Sequence, residues 1–406
     1  MKDNTFDKAG HTMIKYLKSA ALLVILVILP ANAIASKIVK LKGSNRPIMV
    51  SDNYKSNLAM NAMVESADVE YIEPNYAIKL DGMPNDPLWY GTNDWRVIDF
   101  PTAWSGVQNA NAVKIAIIDT GITVDHPDFD SSMMVTHGNS VDEQGHGTYV
   151  YGIIAAVGNN NEGVIGLDWN INKSILVYRF IDGNGNGDVW GAINSIYNAV
   201  DEGAGVINAS WGTSEYSYAL RDAIAYAGEH GCLVVCSAGN DSADNEYTAH
   251  YPSNYNVELD NVISVAALDQ YGLAWYSNYG NTVDVVAPGS DIITTSPDGY
   301  IQGSGTSFSA PYVTALVAML MSQNPNMTSL EIKNRILTTT VAHLDNMVNV
   351  CGGVISAKNA LANTGVHNIK EVVYTTPAEP TEPDTDNGNS SSGGGGGGGC
   401  FISCTI

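Results

Sequence analysis

The chain has 406 residues, a length that suits two or three domains or one large α/β domain with additions. Hydrophobic residues make up 45% of it, which is enough for a large core. It carries 19 Lys and Arg against 42 Asp and Glu, a formal net charge of −23. Residues 81–406 hold nine of these basic residues and 35 of the acidic ones, which argues against nucleic-acid binding because phosphates would be repelled. The acidity fits either divalent-cation binding or solubility in a salty medium.

Residues 1–35 have the pattern of an export signal. Lys15 and Lys18 precede the apolar run 20–29, and Ala33-Ile34-Ala35 offers the small-x-small pattern of a cleavage site. An apolar run of about ten residues is too short to span a bilayer. We therefore expect a signal peptide over 1–35 and a secreted or cell-surface protein, with translation starting at Met1 or Met13.

Residues 36–80 form a separate piece that ends in the alternating tract 69–76, which predicts a strand. The first 80 residues hold ten Lys and Arg against seven Asp and Glu, a charge opposite to that of the following region. Opposite charge would help this piece to dock there. It is either a small domain or a pro-segment that is removed later.

From about 81 to 365, buried strands alternate with helical stretches. The continuous apolar runs of the strands fit a parallel sheet that is covered on both faces. This is a doubly wound α/β layout, in which functional sites collect at the carboxyl ends of the strands. The predicted strands are 113–119, 175–180, 205–210, 232–237, 262–267 and 283–287, and the predicted helices are 146–157, 188–202, 215–229, 307–322, 328–340 and 353–363.

The five cysteines and the end of the chain complete the layout. Cys232 and Cys236 are four residues apart in a predicted strand, about 13 Å, so they cannot pair with each other and are expected to be buried free thiols. Residues 369–406 combine an acidic, proline-containing part with a Gly-rich linker, and we expect a disordered tail. The alternative is a displayed or covalently modified terminus carrying Cys400 and Cys404.

Three separated polar residues supply the parts of a nucleophilic site. Asp119 ends a buried strand, where an unpaired carboxylate would be costly, and His146 begins a helical stretch between two glycines. Ser307 lies at the start of a helix, in the positive end of its dipole, and Pro311 is expected in the first turn. Each residue alone has a structural explanation, but together they supply an orienting acid, a base and a nucleophile.

Asn240 adds a fourth part to this set. It follows the predicted strand 232–237, where its amide could donate to an oxyanion that develops during acyl transfer. One such donor stabilises a transition state by about 2.7–4 kcal/mol. The alternative for an isolated asparagine is a turn residue.

With these motifs, Asp119-Thr120-Gly121, Gly145-His146-Gly147-Thr148 and residues 305–311, the chain resembles the subtilisin-like serine peptidases (subtilases, peptidase family S8) over about 330 residues. The resemblance implies a three-layer α/β fold with a mostly parallel central sheet, preceded by a short α+β propeptide. It implies an inhibitory propeptide over 36–80, a catalytic domain over 81–368 and maturation near residues 77–83.

The resemblance also assigns roles. Ser307 attacks the peptide carbonyl, His146 is the general base and Asp119 orients the imidazole. Asn240 and the Ser307 N–H form the oxyanion hole. The substrate would bind as an added strand. It would lie between one edge formed by Ser210, Trp211 and Gly212 and another formed by Gly185, Asn186 and Gly187.

Three positions set this chain apart from the family pattern. His250 aligns with a position at the base of the S1 pocket that is often small, so we expect it to shrink or polarise the pocket, unless it faces outward from a loop. Tyr149 and Tyr151 replace the usual His and Ala after the histidine motif, and these larger side chains must find room near His146.

The same resemblance implies a structural calcium site. Hard oxygen ligands on loops suit Ca²⁺. The implied side-chain ligands are Asp86, Asp128 and Asn160, and the implied carbonyl ligands are those of Val157, Glu162 and Val164.

The leading hypothesis is a secreted, calcium-stabilised serine endopeptidase that is made as a zymogen, inhibited by its own propeptide and monomeric. Its partners would be polypeptide substrates and not nucleic acid. One alternative is a non-catalytic surface or binding protein that retains the fold, although all four catalytic residues are present. An α/β-hydrolase esterase fits less well because Ser307 lies in Gly-x-Ser-x-Ser and follows the acid and the histidine.

Overall fold

The computed structural model describes residues 36–51, 69–74, 84–89, 98–107, 111–341, 350, 352–364 and 401–402. The predicted signal peptide, the maturation region 77–83 and the tail apart from 401–402 lie outside the described residues. The chain divides into two compact units, Met1–Leu80 and Asp81–Ile406.

The first unit contains an antiparallel sheet in the order β2-β1-β3. Its strands are β1 (Ser36–Leu41), β2 (Ile48–Ser51) and β3 (Val69–Pro74), so the alternating tract at 69–76 does form a strand. Val39 and Val50 are buried in a small core, with Leu41 and Val69 packed against them. Alternation of apolar side chains along these strands gives the sheet one buried face.

The second unit is built on a nine-stranded sheet in the order β14-β11-β9-β8-β7-β4-β6-β5, with β10 paired to β9. Apart from β10, the neighbouring strands are parallel. A hairpin of β12 and β13 lies outside this sheet, and β15 pairs with β13. The strands are β4 (Val113–Asp119), β5 (Met134–Thr136), β6 (Lys173–Arg179), β7 (Val206–Ala209), β8 (Leu233–Ser237), β9 (Val262–Asp269), β10 (Gly272–Leu273), β11 (Val285–Pro288), β12 (Ile292–Ser296), β13 (Gly299–Ser304), β14 (Gly353–Val354) and β15 (Phe401–Ile402).

The helices follow the predicted pattern with shifts at their ends. The predicted helix 353–363 is wrong at its start, because Val354 belongs to β14 and the helix begins only after Ser356, whose side chain caps it. Thr328 and Glu331 form the capping box that their spacing predicts. The helices are α1 (Phe100–Gly106), α2 (His146–Ala155), α3 (Val189–Asp201), α4 (Tyr218–Glu229), α5 (Thr306–Gln323), α6 (Ser329–Thr338) and α7 (Ala357–Ala362), with 3₁₀ turns at Ser131–Met133 and Ser253–Val257.

The central strand β4 shows how the three layers form. Ile115 and Ile117 pack into the core that contains α2 and α5, whereas Ala116 and Ile118 pack into the core that contains α3 and α4. Because successive side chains of a strand point to opposite faces, a continuous apolar run buries both. The three-layer α/β fold with a mostly parallel sheet is thereby confirmed.

One further expectation is tested by the described residues. Cys232 and Cys236 are free and buried, as predicted, and burial raises the pKa of both thiols. In the described part of the chain, no helix combines the length and the apolar character needed to cross a bilayer.

Candidate active site

The candidate site lies where three neighbouring strands end. β4, β7 and β8 are adjacent and parallel, so Asp119, Ser210 and the residues after Ser237 meet at one edge of the sheet. The amino ends of α2 and α5 reach the same place. Together they line a cleft of about 470 Å³ that includes His146, Asn240 and Ser307.

Asp119 and His146 form a close pair in this cleft. The Nδ1 of His146 lies 2.8 Å from Asp119 Oδ1 and 2.9 Å from Oδ2, and Asp119 is only 1% exposed. The Thr120 N–H donates to the same carboxylate at 2.7 Å. A carboxylate on Nδ1 fixes the proton there and makes Nε2 the acceptor nitrogen of the neutral ring.

The helix that carries His146 is held by a residue that the sequence analysis missed. The buried carboxylate of Asp142 accepts from the N–H groups of Gln144, Gly145 and Thr148 at 3.2, 2.6 and 2.9 Å, and from the Thr148 hydroxyl at 2.7 Å. These bonds satisfy amide groups at the start of α2 and place a negative charge at its positive end. The place of Asp142 three residues before Gly145 is the sequence signal from which this capping of α2 could have been predicted.

The position of Gly147 requires a glycine after His146. A Cβ on Gly147 would collide with the Gly121 carbonyl oxygen, while its N–H donates to Thr120 Oγ1 at 2.7 Å. The loop after β4 therefore packs directly on the first turn of α2. This contact brings Asp119 within reach of His146.

Ser307 is the second residue of α5 and is buried. The expected position of Pro311 in the first turn is wrong, because α5 begins at Thr306 and Pro311 lies inside the helix. A proline has no N–H, so the Ser307 carbonyl lacks its bond from four residues on. Ser210 Oγ donates to that carbonyl instead, at 2.9 Å.

A buried polar chain supports this replacement bond. Asn208 Nδ2 donates to Ser210 Oγ at 2.8 Å, and Thr314 Oγ1 donates to Asn208 Oδ1 at 2.9 Å. Asn208 and Thr314 are both inaccessible to solvent. These bonds tie the end of β7 to the first turn of α5, which contains Ser307. The residues that they link are 97 and 106 positions apart, so no local pattern predicts them.

Asn240 is oriented by Thr306, the residue before Ser307. Its Oδ1 accepts from the Thr306 N–H at 2.8 Å and from the Thr306 hydroxyl at 3.0 Å. The Thr306 hydroxyl in turn accepts from the Gly239 N–H at 3.2 Å. With its oxygen held in this way, the amide directs its NH₂ group the other way, as a donor in the cleft.

The two tyrosines of the histidine motif are accommodated inside the core. Tyr149 lies between His146 and Phe308, with ring centroids 6.3 and 6.2 Å away. Tyr151 is 1% exposed and packs on Phe129 at 4.4 Å. The larger side chains are therefore paired with aromatic neighbours, and Asp119 and His146 remain in contact.

The predicted substrate-binding residues are brought together with Ser307. The loop after β6 is closed by Asp182, whose carboxylate accepts the N–H groups of Asn184 and Asn186 at 2.9 Å each. Gly187 lines an adjoining pocket of about 210 Å³. The main cleft is lined by Gly185, Asn186, Ser210, Trp211, Gly212 and His250 among others.

The predicted calcium ligands form a second polar cluster. Asp86 and Asp128 are fully buried, and both bind the loop 157–164. Asp86 accepts from the Asn159 and Asn160 N–H groups at 3.0 and 3.3 Å, and Asp128 accepts from Asn160 Nδ2 at 2.8 Å. Burial raises the pKa of Asp128 to about 7, with the charge of Asp86 acting in the same direction.

The donor set of this cluster fits a calcium ion. Two buried carboxylates and an amide oxygen are hard ligands, and a cation would remove the cost of burying both charges. The N–H groups of Val157, Glu162 and Val164 donate to Asp128 O, Asn160 Oδ1 and Asp128 Oδ2, and the Glu162 carboxylate accepts from the Tyr300 hydroxyl at 3.3 Å. Among the described residues no three His, Cys, Asp or Glu side chains gather as a metal group, so amide and carbonyl oxygens would have to complete the site.

Comparison with known proteins agrees with this architecture. The family model described as the subtilase family, peptidase S8, matches residues 110–386. A thermophilic serine proteinase of Bacillus sp. strain AK1 is 39% identical over 283 residues, covering 67% of both chains. Thermitase of Thermoactinomyces vulgaris is 39% identical over 253 residues, covering 59% of this chain and 86% of its own.

Solved structures give the same result. A protease from Pseudoalteromonas arctica PAMC 21717 is similar over 69% of this chain and 99% of its own, with a TM-score of 0.60 and 27% identity. A cold-adapted subtilisin-like serine proteinase covers 61% of this chain with a TM-score of 0.54 and 26% identity. The chain belongs to the subtilase family and is a subtilisin-like serine endopeptidase.

Proposed function

We propose that the chain hydrolyses peptide bonds through an acyl-enzyme, with Asp119, His146 and Ser307 as its triad. The observation that carries this proposal is the 2.8 Å contact between His146 Nδ1 and Asp119, in a cleft that also contains Ser307 at the start of α5. The contact gives His146 the tautomer that a general base needs.

In the proposed reaction, Ser307 Oγ attacks the carbonyl carbon of the scissile bond while His146 Nε2 takes its proton. The tetrahedral intermediate collapses as His146 returns the proton to the leaving amine, and the acyl group stays on Ser307. A water molecule, deprotonated by His146, then releases the acid and restores the serine. Asp119 holds the ring and stabilises the imidazolium formed in each half.

Asn240 is proposed as the side-chain donor of the oxyanion hole, together with the Ser307 N–H. The bonds from Thr306 to Asn240 Oδ1 support this, because they leave the amide preorganised as a donor before the substrate binds. The polypeptide substrate is proposed to add as a strand between residues 210–212 and the loop 185–187, whose glycines permit close approach.

Calcium is proposed as a structural ion at Asp86, Asp128 and Asn160, with carbonyl oxygens of Val157, Glu162 and Val164 completing the shell. The ion would supply positive charge between two buried carboxylates and thereby stabilise the loop 157–164. It has no part in the proposed chemistry at Ser307.

The maturation of the protein follows from the sequence layout. We propose an exported, monomeric zymogen, with a signal peptide over 1–35, an inhibitory propeptide over 36–80, a catalytic domain over 81–368 and an acidic, Gly-rich tail over 369–406. The proposed propeptide, residues 36–80, holds six Lys and Arg against five Asp and Glu, and this slight basic excess beside the strongly acidic residues 81–406 is compatible with docking on the catalytic domain.

Mass spectrometry of the purified wild type and of Ser307→Ala, each incubated alone, tests this proposal. We expect the wild type to shorten near residues 77–83 and Ser307→Ala to stay at full length. Casein cleavage by the matured wild type alone would complete the assignment of the nucleophile.

Three outcomes would contradict the proposal. If both proteins stay intact and casein is untouched, the alternative of a non-catalytic binding protein gains support. If both shorten alike, another protease performs the maturation, and the self-processing zymogen is wrong. Turnover of esters without turnover of peptides would instead favour the esterase.

A further inference from the structure

His250 lines the cleft and has a rigid main chain. Its N–H donates to Asn254 Oδ1 at 3.0 Å. Its carbonyl oxygen accepts from Ser253 Oγ at 2.7 Å and from the Asn254 N–H at 2.9 Å. These three bonds hold the backbone, so the ring has a defined origin and direction.

The imidazole occupies the space between two glycines of the cleft. A Cβ on Gly212 would lie 2.5 Å from His250 Nε2 and 2.8 Å from Nδ1, and a Cβ on Gly239 would lie 3.0 Å from Cδ2. Gly212 follows β7 and Gly239 follows β8, which are neighbouring parallel strands. The two glycines are thus the walls of a slot at the carboxyl end of the sheet, and the ring fills it.

The ring contributes bulk to this slot rather than a polar contact. Its Nδ1 is out of reach of solvent and has no hydrogen-bond partner, so a substrate side chain cannot reach it while the ring stays in place. Burial lowers the pKa of His250 below 6.5, although Asp241 and the Ser237 backbone act in the opposite direction. This lowering of the pKa disfavours a positive charge on the ring that could attract an acidic side chain.

The slot lies beside the proposed oxyanion donor, because Gly239 directly precedes Asn240. In a substrate whose carbonyl oxygen is bound by Asn240, the Cα lies about 1.5 Å from the carbonyl carbon. The side chain on the acyl side of the scissile bond therefore starts next to Gly239. Its path leads into the space that the imidazole occupies.

We propose that His250 is a plug in the slot between Gly212 and Gly239, and that it restricts the acyl-side residue of the substrate to glycine, alanine or serine. This inference rests on the proposed roles of Ser307 and Asn240. It selects the steric effect of His250 over the polar effect, both of which the sequence left open.

Five peptides that differ only at the acyl-side residue test the plug: Ala, Leu, Phe, Gln and Glu. For the wild type we expect kcat/KM for Ala to exceed that for Phe by about tenfold or more, because overpacking of this size is strongly unfavourable. His250→Gly opens the slot and should raise kcat/KM for Phe by about tenfold or more. His250→Phe keeps the bulk without the nitrogens and should keep the preference for Ala.

The melting temperature of each variant is measured first, so that only folded proteins are compared. A wild type that prefers Leu or Phe overturns the plug, and so does one that prefers Gln or Glu to Ala. A folded His250→Phe variant that loses the preference for Ala shows that polarity, not bulk, determines specificity, and this also overturns it.

Labelling of Ser307 by a fluorophosphonate separates this inference from the proposed function. A wild type that is labelled but prefers Phe overturns the plug alone. A folded, matured wild type that is neither labelled nor active on any of the five peptides overturns both.

Discussion

Two regions of this protein bury carboxylates in different electrostatic settings. At the cleft, Asp119 faces the imidazole of His146 and the Thr120 N–H. At the loop 157–164, Asp128 faces an amide, a backbone N–H and the like charge of Asp86. The cleft therefore contains a ring N–H that stabilises its carboxylate, whereas the described partners of Asp128 in the loop cluster include no positive charge, which the proposed calcium ion would supply.

This difference predicts which of the two regions responds to the concentration of a cation in solution. A carboxylate balanced by a neighbouring side chain keeps its partner whenever the fold is intact. With the proposed calcium site, the stability of the buried pair Asp86 and Asp128 depends on the cation concentration, because binding to the folded state stabilises it by mass action. Three substitutions and the removal of calcium test this difference between the two regions, and they follow from the largest expected effect to the smallest.

Asp119→Asn removes the carboxylate that accepts from His146 Nδ1 while keeping the size of the side chain. We expect kcat to fall by about 10⁴-fold, the loss known for this substitution in serine protease triads, because the imidazole takes the wrong tautomer. Peptide cleavage by the matured protein measures it. Calcium dependence of the melting temperature should stay as in the wild type, and a change there would mean that the two regions are not independent.

Asn240→Ala removes one donor from the cleft and leaves the triad in place. We expect kcat to fall by about 10²–10³-fold, a value taken from subtilisin, with KM nearly unchanged, because the donor acts on the transition state. Asn186→Ala, on the substrate side of the cleft, is the matched control and should act mainly on KM. Equal effects of both variants on KM would contradict the oxyanion role.

Removal of calcium should act on the other region. Chelation should lower the free energy of unfolding by about 3 kcal/mol, the value for a ligand at a hundred times its dissociation constant. Asp128→Asn should abolish this response, because one of two ligand carboxylates is gone. Thermal unfolding with and without chelator measures both effects, and an unchanged melting temperature for the wild type would rule out the site at Asp86, Asp128 and Asn160.

The smallest expected effect comes from His126, which precedes the loop cluster in sequence. Its Nε2 lies 2.8 Å from the Gly299 carbonyl and its Nδ1 accepts from the Asp128 N–H at 3.1 Å, so the neutral ring is bonded at both nitrogens. Burial lowers the pKa of His126 below 6.5. The folded state then binds fewer protons than the unfolded state, so the stability is present above pH 6.5 and is lost as the pH falls through the folded pKa.

This loss should reach at most about 1.4 kcal/mol per pH unit. The difference in slope between wild type and His126→Phe, from urea unfolding between pH 7.5 and 5 with calcium held constant, measures it, because Asp128, with a pKa of about 7, titrates in the same range with the opposite sign. His126→Phe keeps an aromatic ring against Phe129 and Tyr300 and should flatten the dependence. The exposed His230, replaced by glutamine, is the control; an equal flattening there would assign the effect to histidines in general.

Much of the fold could be predicted because its signals are local. Apolar runs such as 113–119 predict a strand that is buried on both faces, and the spacing of Thr328 and Glu331 predicts where a helix begins. The order of acid, histidine and serine could be read for the same reason, since each residue lies in a short motif beside glycines. The ends of elements were less certain, as the region 353–363 shows, because pairing of Val354 with β11 overrides local helical preference.

Contacts between residues far apart in the chain depend on the tertiary structure and could not be predicted from the sequence. Thr306 donates to Asn240, and Ser210 donates to the Ser307 carbonyl, which receives no N–H from Pro311; neither pair has a fixed spacing in the sequence. The same holds for His250, whose ring lies between two glycines from different strands. The amino-acid sequence specifies which polar side chains this protein carries and in which order. The distances between them and their burial follow from packing, because the hydrophobic core sets where the strand ends meet, and short motifs do not contain that information.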